Sequence, residues 1–528
     1  MPNNHLHRRN RLLLLLGFLG ISSLILANES PKLTSHAKVL YEKHCVACHG
    51  LSRLGGMGPA LLPENLSRLK KNKAEDVIKH GRVATQMPAF DKYLKNDEIK
   101  ALIDLIYTPL DKTPSWGMEQ ISSSHKQFFN DDQLSDKPVF EADMMNLFIV
   151  VELGDHHATL LDGDTFEPIH RFKTHFALHG GPKYSPDGRY VYFASRDGWI
   201  SKFDIYNLKT VAEVRAGINT RNLAVSSDGR YAIAANYLPN NLVIFDAENL
   251  KPIKVIDVLD QSGKASRVSA VYNAPPRNSF IAALKDIKEV WEINYEDIPP
   301  AGFAGWEHDY NKESGDVVQP EPFPIRKIAV SAYLDDFFFN QDYSLLFGAS
   351  REGEGLILSL DARKEIGRLD VPGMPHLGSG ITWNYQGKEV MATPNLKDGK
   401  VSIIDMENWT TIKHIETKGP GFFMRSHEKT PYAWVDVFFG PNKDLMHVID
   451  KNTLEIVKTL QPVPGKTAAH IEFTKDGRYA LMSIWDEEGA VIVYDAKTLE
   501  EVKRIPMSKP SGKYNVYNKT TYSRGTSH

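Results

Sequence analysis

An acidic residue that closes an apolar strand, and then recurs along most of the chain, is the feature that most constrains the fold. Asp162, Asp204, Asp246, Asp361, Asp405, Asp450 and Asp495 each follow a β-rich apolar run and precede a turn, and Glu292 in Val290-Trp291-Glu292-Ile293 stands as a degenerate copy. Between them recur the turns Ser185-Pro186-Asp187-Gly188-Arg189-Tyr190, Ser226-Ser227-Asp228-Gly229-Arg230-Tyr231 and Thr474-Lys475-Asp476-Gly477-Arg478-Tyr479. A period of about 40 to 45 residues with short strands in each unit is a β-propeller pattern, because one four-stranded sheet cannot cover both its faces and must pack against neighbours around a ring. The markers predict eight blades over residues 137–528. A solenoid of the same period is the alternative, and the all-β turn chemistry weighs against it. The interval from Glu292 to Asp361 is long, and Pro299 to Pro324 reads as a Pro-, Gly- and charge-rich inserted loop of the kind that sits on a propeller face.

Upstream lie the only two cysteines of the chain, Cys45 and Cys48, so a disulfide framework is excluded. They form Cys45-Val46-Ala47-Cys48-His49, in which two thiols can add to the vinyl groups of a haem while the adjacent histidine reaches the iron. A thioredoxin-like dithiol wants an α/β setting, and a zinc site wants a second cysteine pair that does not exist. The surroundings predict a small all-α cytochrome c domain over residues 28–110, with helices over 35–43, 74–80 and 96–107 and a loop at 58–61. Met87, in Gln86-Met87-Pro88-Ala89-Phe90, is the candidate second axial ligand of this covalent haem c, with Met57 and His80 as alternatives. A His/Met pair raises the reduction potential, which suits a one-electron acceptor. Residues 111–136 read as a linker.

The first 27 residues, with Arg8, Arg9 and Arg11 ahead of the apolar run Leu12 to Leu26, read as an export signal that places the mature chain in the periplasm; no later segment is long and apolar enough to span a membrane. A net charge of -3 with 24% charged residues offers no polybasic footprint, which removes nucleic acid from the partners considered.

Several propeller histidines sit in unusual contexts. His175 and His179 lie in Thr174-His175-Phe176-Ala177-Leu178-His179-Gly180-Gly181, and the glycines would let the backbone approach a flat ligand. His376 is framed by Gly373, Pro375, Gly378 and Gly380; His427 follows Arg425, and His470 precedes Ile471-Glu472-Phe473.

With an N-terminal cytochrome c domain ahead of this propeller, the chain resembles the cytochrome cd1 family. The motifs are His179 with Ser195-Arg196-Asp197-Gly198, Gly217-Ile218-Asn219-Thr220-Arg221, Pro375-His376-Leu377-Gly378-Ser379-Gly380, Arg425-Ser426-His427, His470-Ile471-Glu472-Phe473 and Gly512-Lys513-Tyr514-Asn515-Val516-Tyr517-Asn518. The resemblance implies non-covalent binding of haem d1 or dihydro-haem d1, with His179 and His376 ligating its iron, and His470 and Tyr514 beside a reacting side chain. It also implies that Arg196, Arg221 and, more weakly, Arg425 face its carboxylates, where a planar guanidinium binds two oxygens at once.

Two activities share that architecture: reduction of nitrite to nitric oxide, and oxidation of a propionate of dihydro-haem d1 to acrylate, the last step of haem d1 synthesis for denitrification. The reductases carry two distal histidines. Here the second matches His376, while the first should fall in Ser331-Ala332-Tyr333-Leu334-Asp335-Asp336-Phe337, which has none. Losing a proton donor weighs against nitrite chemistry. The expectation is therefore an oxidoreductase acting on a tetrapyrrole side chain, passing electrons through haem c to an external acceptor, with a cytochrome cd1 nitrite reductase as a recipient of the product. A non-enzymatic haem d1 carrier is the remaining alternative.

Overall fold

The computed structural model describes residues 31–521 apart from 56–57, 68, 82–86, 113, 301–302, 304–320, 351–352, 354, 370 and 372. The expected export signal, Met57 and most of the 299–324 insertion lie outside the described residues.

The N-terminal part is helical: α1 (Pro31–His44), α2 (Val46–His49), α3 (Pro63–Leu66), α4 (Lys71–His80) and α5 (Asn96–Tyr107). α5 has the span its sequence predicts, while α1 and α4 begin about a turn earlier than predicted. In α5, Ile99, Leu102, Ile103 and Ile106 fall on one face and pack with Leu40, Tyr41, Leu66 and Ala74. The Glu98 carboxylate accepts the Lys95 amide at 2.8 Å and so satisfies one free N–H at the helix start.

The rest forms eight antiparallel sheets arranged as successive blades. In chain order the blades span residues 147–173, 183–215, 219–257, 268–329, 334–369, 381–416, 424–460 and 468–507, numbered here one to eight. Blade one is completed by the C-terminal strand Pro510–Asn515, which pairs with Leu147–Glu152 in the register Phe148 to Asn515 and Ile149 to Tyr514. The first strands of blades two to five touch in succession, and so do those of blades six, seven, eight and one, so these inner strands line the axis, with Pro510–Asn515 as the inner strand of blade one. Apolar clusters lie between blades: Ile233, Leu242 and Ile244 of blade three pack with Val271, Phe280 and Trp291 of blade four. Trp434, fully buried with Phe473 and Met482 between blades seven and eight, would cost about 3–5 kcal/mol if cut to alanine.

The repeated aspartates end the third strand of their blades and cap the next turn. The Asp162, Asp204, Asp246, Asp405, Asp450 and Asp495 carboxylates each accept the amide two residues on, at 2.7–2.9 Å. Two markers are off register. In blade four the capping position is Asn294, which accepts the Glu296 amide at 3.1 Å, and in blade five it is Ser359, which accepts the Ala362 amide at 3.1 Å. Glu292 and Asp361 instead share Arg277, at 2.8 and 2.5 Å. The eight-blade count stands because the repeat, not the residue type, carries it.

Residues 111–136 are not an irregular linker throughout. α6 (Met118–Ser124) packs on blade two, and Lys126–Gln127 adds a fifth strand to it, Lys126 opposite Glu213. Ala60 and Leu62 of the helical part share an apolar cluster with Ile218 and Leu238. The buried Arg215 guanidinium donates to the Leu54 carbonyl at 2.6 Å and the Asp197 carbonyl at 3.0 Å, tying the helical part to blade two. Among the described residues no helix is long and apolar enough to cross a membrane.

Candidate active site on the propeller axis

One cavity of about 2270 Å³ reaches from Cys45, Cys48, His49 and Met87 to the inner strands of the propeller, where His179, His376, His470 and Tyr514 line it.

His179 and His376 occupy matching places in blades two and six. Each lies just before an inner strand, and each donates its backbone N–H, at 2.9 Å, to the second strand of its own blade: His179 to Ala194, His376 to Pro394. Flanking bridges match as well, Leu178 with Ser195 and Pro375 with Asn395. Four blades apart in a ring of eight, the two imidazoles stand on opposite sides of the axis. Both hold Nδ1 on a carbonyl, His179 on Arg221 at 2.7 Å and His376 on Phe422 at 2.6 Å. Such a bond fixes the tautomer and leaves Nε2 as the basic nitrogen. Arg221 Nη1 lies 2.6 Å from His179 Nε2, so an iron at that nitrogen must displace the guanidinium. The His376 ring stacks on Phe422 at 4.1 Å, and burial pushes its pKa below the usual imidazole value.

In the segment without a histidine, the structure places Asp336 at the cavity. Its carboxylate accepts the Tyr272 hydroxyl at 3.0 Å and the Gly378 amide at 2.6 Å, and lies 3.9 Å from His376 Nε2.

His470 and Tyr514 come from neighbouring inner strands, of blades eight and one. Tyr514 fits because its neighbours are glycines: a Cβ on Gly181 would come within 2.9 Å of its ring, and one on Gly512 would collide with its hydroxyl. Burial pushes the phenol pKa up to about 12. His470 sits at a bulge with φ +51, a conformation uncommon for a residue with a side chain. Its peptide is held from both sides, since its N–H donates to Asp436 at 3.4 Å and its carbonyl accepts the Lys513 ammonium at 2.7 Å. Its ring is buried, and Nδ1 has no hydrogen-bond partner among the described residues. Burial, and then the charges of Lys513, Arg425 and Lys519, hold its pKa well below the ordinary imidazole range.

The three candidate arginines differ. Arg196 and Arg221 are half-buried at the cavity wall. Arg425 also lines it, but its guanidinium is buried and paired with Glu472 at 2.9 Å, so its charge is already matched inside the protein. Two other histidines take structural places. His175 stacks on Trp199 at 4.7 Å and bonds Glu213, and His427 is fully buried with Nδ1 accepting the Lys429 amide. Sequence reading passed over Asp436 and Lys513, whose signal is a charge inside a buried inner or second strand. Burial raises the Asp436 pKa to about 7 and lowers that of Lys513 to about 7.

At the other end of the cavity the residues fit a c-type haem. His49 is buried with Nδ1 on the Pro59 carbonyl at 2.8 Å, leaving Nε2 for a metal, and a Cβ on Gly58 would strike its ring at 2.7 Å. Cys45 and Cys48 stand one helical turn apart at the cavity, and Met87, Phe90, Leu94 and Ile106 line the same wall. His80 is exposed at the end of α4 and does not line the cavity.

Comparison with known proteins agrees with both halves. The model described as "Cytochrome D1 heme domain" matches residues 142–519, and "Cytochrome C oxidase, cbb3-type, subunit III" matches residues 33–106. The chain is 54% identical to the dihydro-heme d1 dehydrogenase of Pseudomonas aeruginosa over 98% of this chain and 99% of that protein. It is 25% identical to a nitrite reductase of Stutzerimonas stutzeri over 93% and 94% of the two chains. A solved structure titled "Dihydro-heme d1 dehydrogenase NirN in complex with DHE" superposes with a TM-score of 0.86 at 54% identity, covering 92% of this chain and all of that one. The chain belongs to the cytochrome D1 heme domain family, here joined to an N-terminal cytochrome c domain.

Proposed function

We infer that this protein is a dihydro-haem d1 dehydrogenase, an oxidoreductase that converts a propionate side chain of the bound tetrapyrrole to acrylate. The observation that carries the reading is the matched pair His179 and His376 on opposite sides of the axis. Two imidazoles saturate an iron, so the metal serves to hold the tetrapyrrole and the reaction falls to its edge, where His470 and Tyr514 stand. The 54% identity to a dehydrogenase over nearly the whole chain supports the same conclusion.

In this reading His179 and His376 grip the tetrapyrrole through Nε2, while Arg221 leaves His179 and, with Arg196, binds its carboxylates. The Phe422 and Phe423 rings, packed at 4.4 Å beside His376 and His470, keep water from that edge. His470, neutral because it is buried, is the base that takes a proton from one propionate carbon, and the Tyr514 hydroxyl relays the second, giving up its own proton towards solvent as it takes one from the neighbouring carbon. Forming the double bond releases two protons and two electrons. Cys45 and Cys48 attach a haem that His49 and Met87 ligate. When bound, that haem supplies a one-electron outlet towards an external acceptor. Export to the periplasm through the first 27 residues, and delivery of the product to a cytochrome cd1 nitrite reductase, complete the proposal.

A reductase reading is weaker because Asp336, not a histidine, lies beside His376. The test is to load the protein with dihydro-haem d1, add a one-electron acceptor and follow the tetrapyrrole by mass spectrometry. Loss of two hydrogens is expected, and an unchanged mass would refute the reading.

A further inference from the structure

We propose that Asp436 is a positioning residue that sets, through one carboxylate, both the axial imidazole of His376 and the reacting imidazole of His470. The inference rests on the dehydrogenase reading for what these imidazoles do, but the connection itself is geometric. Asp436 is fully buried at the end of the second strand of blade seven. Its Oδ1 accepts the amides of Phe422 at 2.7 Å and Phe423 at 3.0 Å. The carbonyl of the same Phe422 receives His376 Nδ1 at 2.6 Å, and the Phe422 ring stacks on the imidazole. Its Oδ2 accepts the amide of His470. One side chain of blade seven thus anchors a histidine that belongs to blade six and one that belongs to blade eight.

The need for such an anchor is visible at each end. Among the described residues the Phe422 and Phe423 amides, in the loop before the inner strand of blade seven, have no backbone acceptor, and buried N–H groups left unpaired are costly. His470 is held in the left-handed region, which a histidine keeps only where its surroundings enforce it. Lys513 grips the carbonyl side of His470 and Asp436 the amide side, so removing the carboxylate frees one of two restraints.

The two oxygens have different tasks, which makes the proposal testable with two variants. In Asp436→Asn the remaining carbonyl oxygen keeps the two Phe amides, and the new NH2 group meets the His470 N–H donor to donor. His376 is then retained and His470 displaced. In Asp436→Ala both ends are released. With the full-length protein loaded with dihydro-haem d1, Asp436→Asn is expected to lower kcat by about 100-fold, the cost of a small misplacement of a reacting group, with KM and the low-spin visible and EPR spectrum of the complex as in the parent. Asp436→Ala is expected to lose kcat and also to change that spectrum, because the His376 side is loosened. Parent-like kcat and spectrum in both variants would overturn the proposal. So would losses of kcat, KM and thermal stability that run in parallel in both, which would mark Asp436 as structural. If the parent protein itself leaves dihydro-haem d1 unchanged, the dehydrogenase reading fails, while the ligand-field spectra of the two variants still decide whether Asp436 holds His376.

Discussion

The rings of His470 and Tyr514 meet edge to face with centroids 5.3 Å apart. They lie on the adjoining inner strands of blades eight and one, and the strand that carries Tyr514 is the one that closes the ring by pairing with Leu147–Glu152. Closure of the propeller and the meeting of these two side chains are therefore one event, and a chain that fails to close cannot bring them together.

Tyr514→Phe separates the ring from the hydroxyl. The phenyl ring still fills the space that Gly181 and Gly512 leave, so tetrapyrrole binding should match the parent. Conversion should slow by about 100- to 10,000-fold, the usual worth of a positioned proton-transfer group, in single-turnover spectra. A parent-like rate would remove Tyr514 from the reaction.

The His470 ring itself should stay neutral through neutrality, where Asp436 and Lys513, which hold its peptide, are the groups near their titration range. His470 has a folded-state pKa depressed well below the imidazole norm, first by burial, so it is neutral above that value and gains a proton only as pH falls through it. Tyr514 stays protonated up to about pH 12. In an NMR titration the His470 ring should show no protonation as pH drops through about 6.5, where an ordinary histidine titrates, and gain its proton only in more acidic solution. A His470 ring resonance that titrates at that ordinary value would contradict a buried, neutral imidazole.

Glu472→Gln should destabilise the propeller by about 3–5 kcal/mol, because it removes the buried carboxylate charge that the Arg425 guanidinium pairs with. Glu472 also accepts the Asn518 amide at 3.0 Å and so ties the C-terminal helix to blade eight. Chemical denaturation reads the effect, and an unchanged midpoint would show that Arg425 finds another anion.

Cys45→Ala with Cys48→Ala should abolish covalent haem, seen as a protein band that loses its haem absorbance after acid-acetone extraction. The propeller should still bind the tetrapyrrole but no longer turn over repeatedly with an external acceptor. Unimpaired turnover would mean that electrons leave by another route, and unimpaired transfer of haem d1 to a reductase would favour a carrier.

Much of this was legible in the sequence, for identifiable reasons. Asp204 or Asp495 announces a blade because capping a turn is a local task, solved two residues away. Glu292 and Asp361 misled because acidic residues at nearly the right place serve a different, long-range pairing with Arg277. His179 and His376 stood out through their glycine-rich surroundings, but their equivalence across the axis emerges only when strands are paired. Arg425 reads as a ligand-binding cation until its buried partner Glu472 is in view. Asp436 could not be assigned at all, since its partners Phe422 and His470 lie 14 and 34 residues away and nothing local marks them.

The most direct test of the dehydrogenase assignment is an electron count. Anaerobic incubation of the purified protein with dihydro-haem d1 and a coloured one-electron acceptor should reduce two acceptors for each tetrapyrrole that loses two hydrogens, with no nitric oxide formed when nitrite is supplied. Nitric oxide released from nitrite while the tetrapyrrole keeps its mass would contradict it.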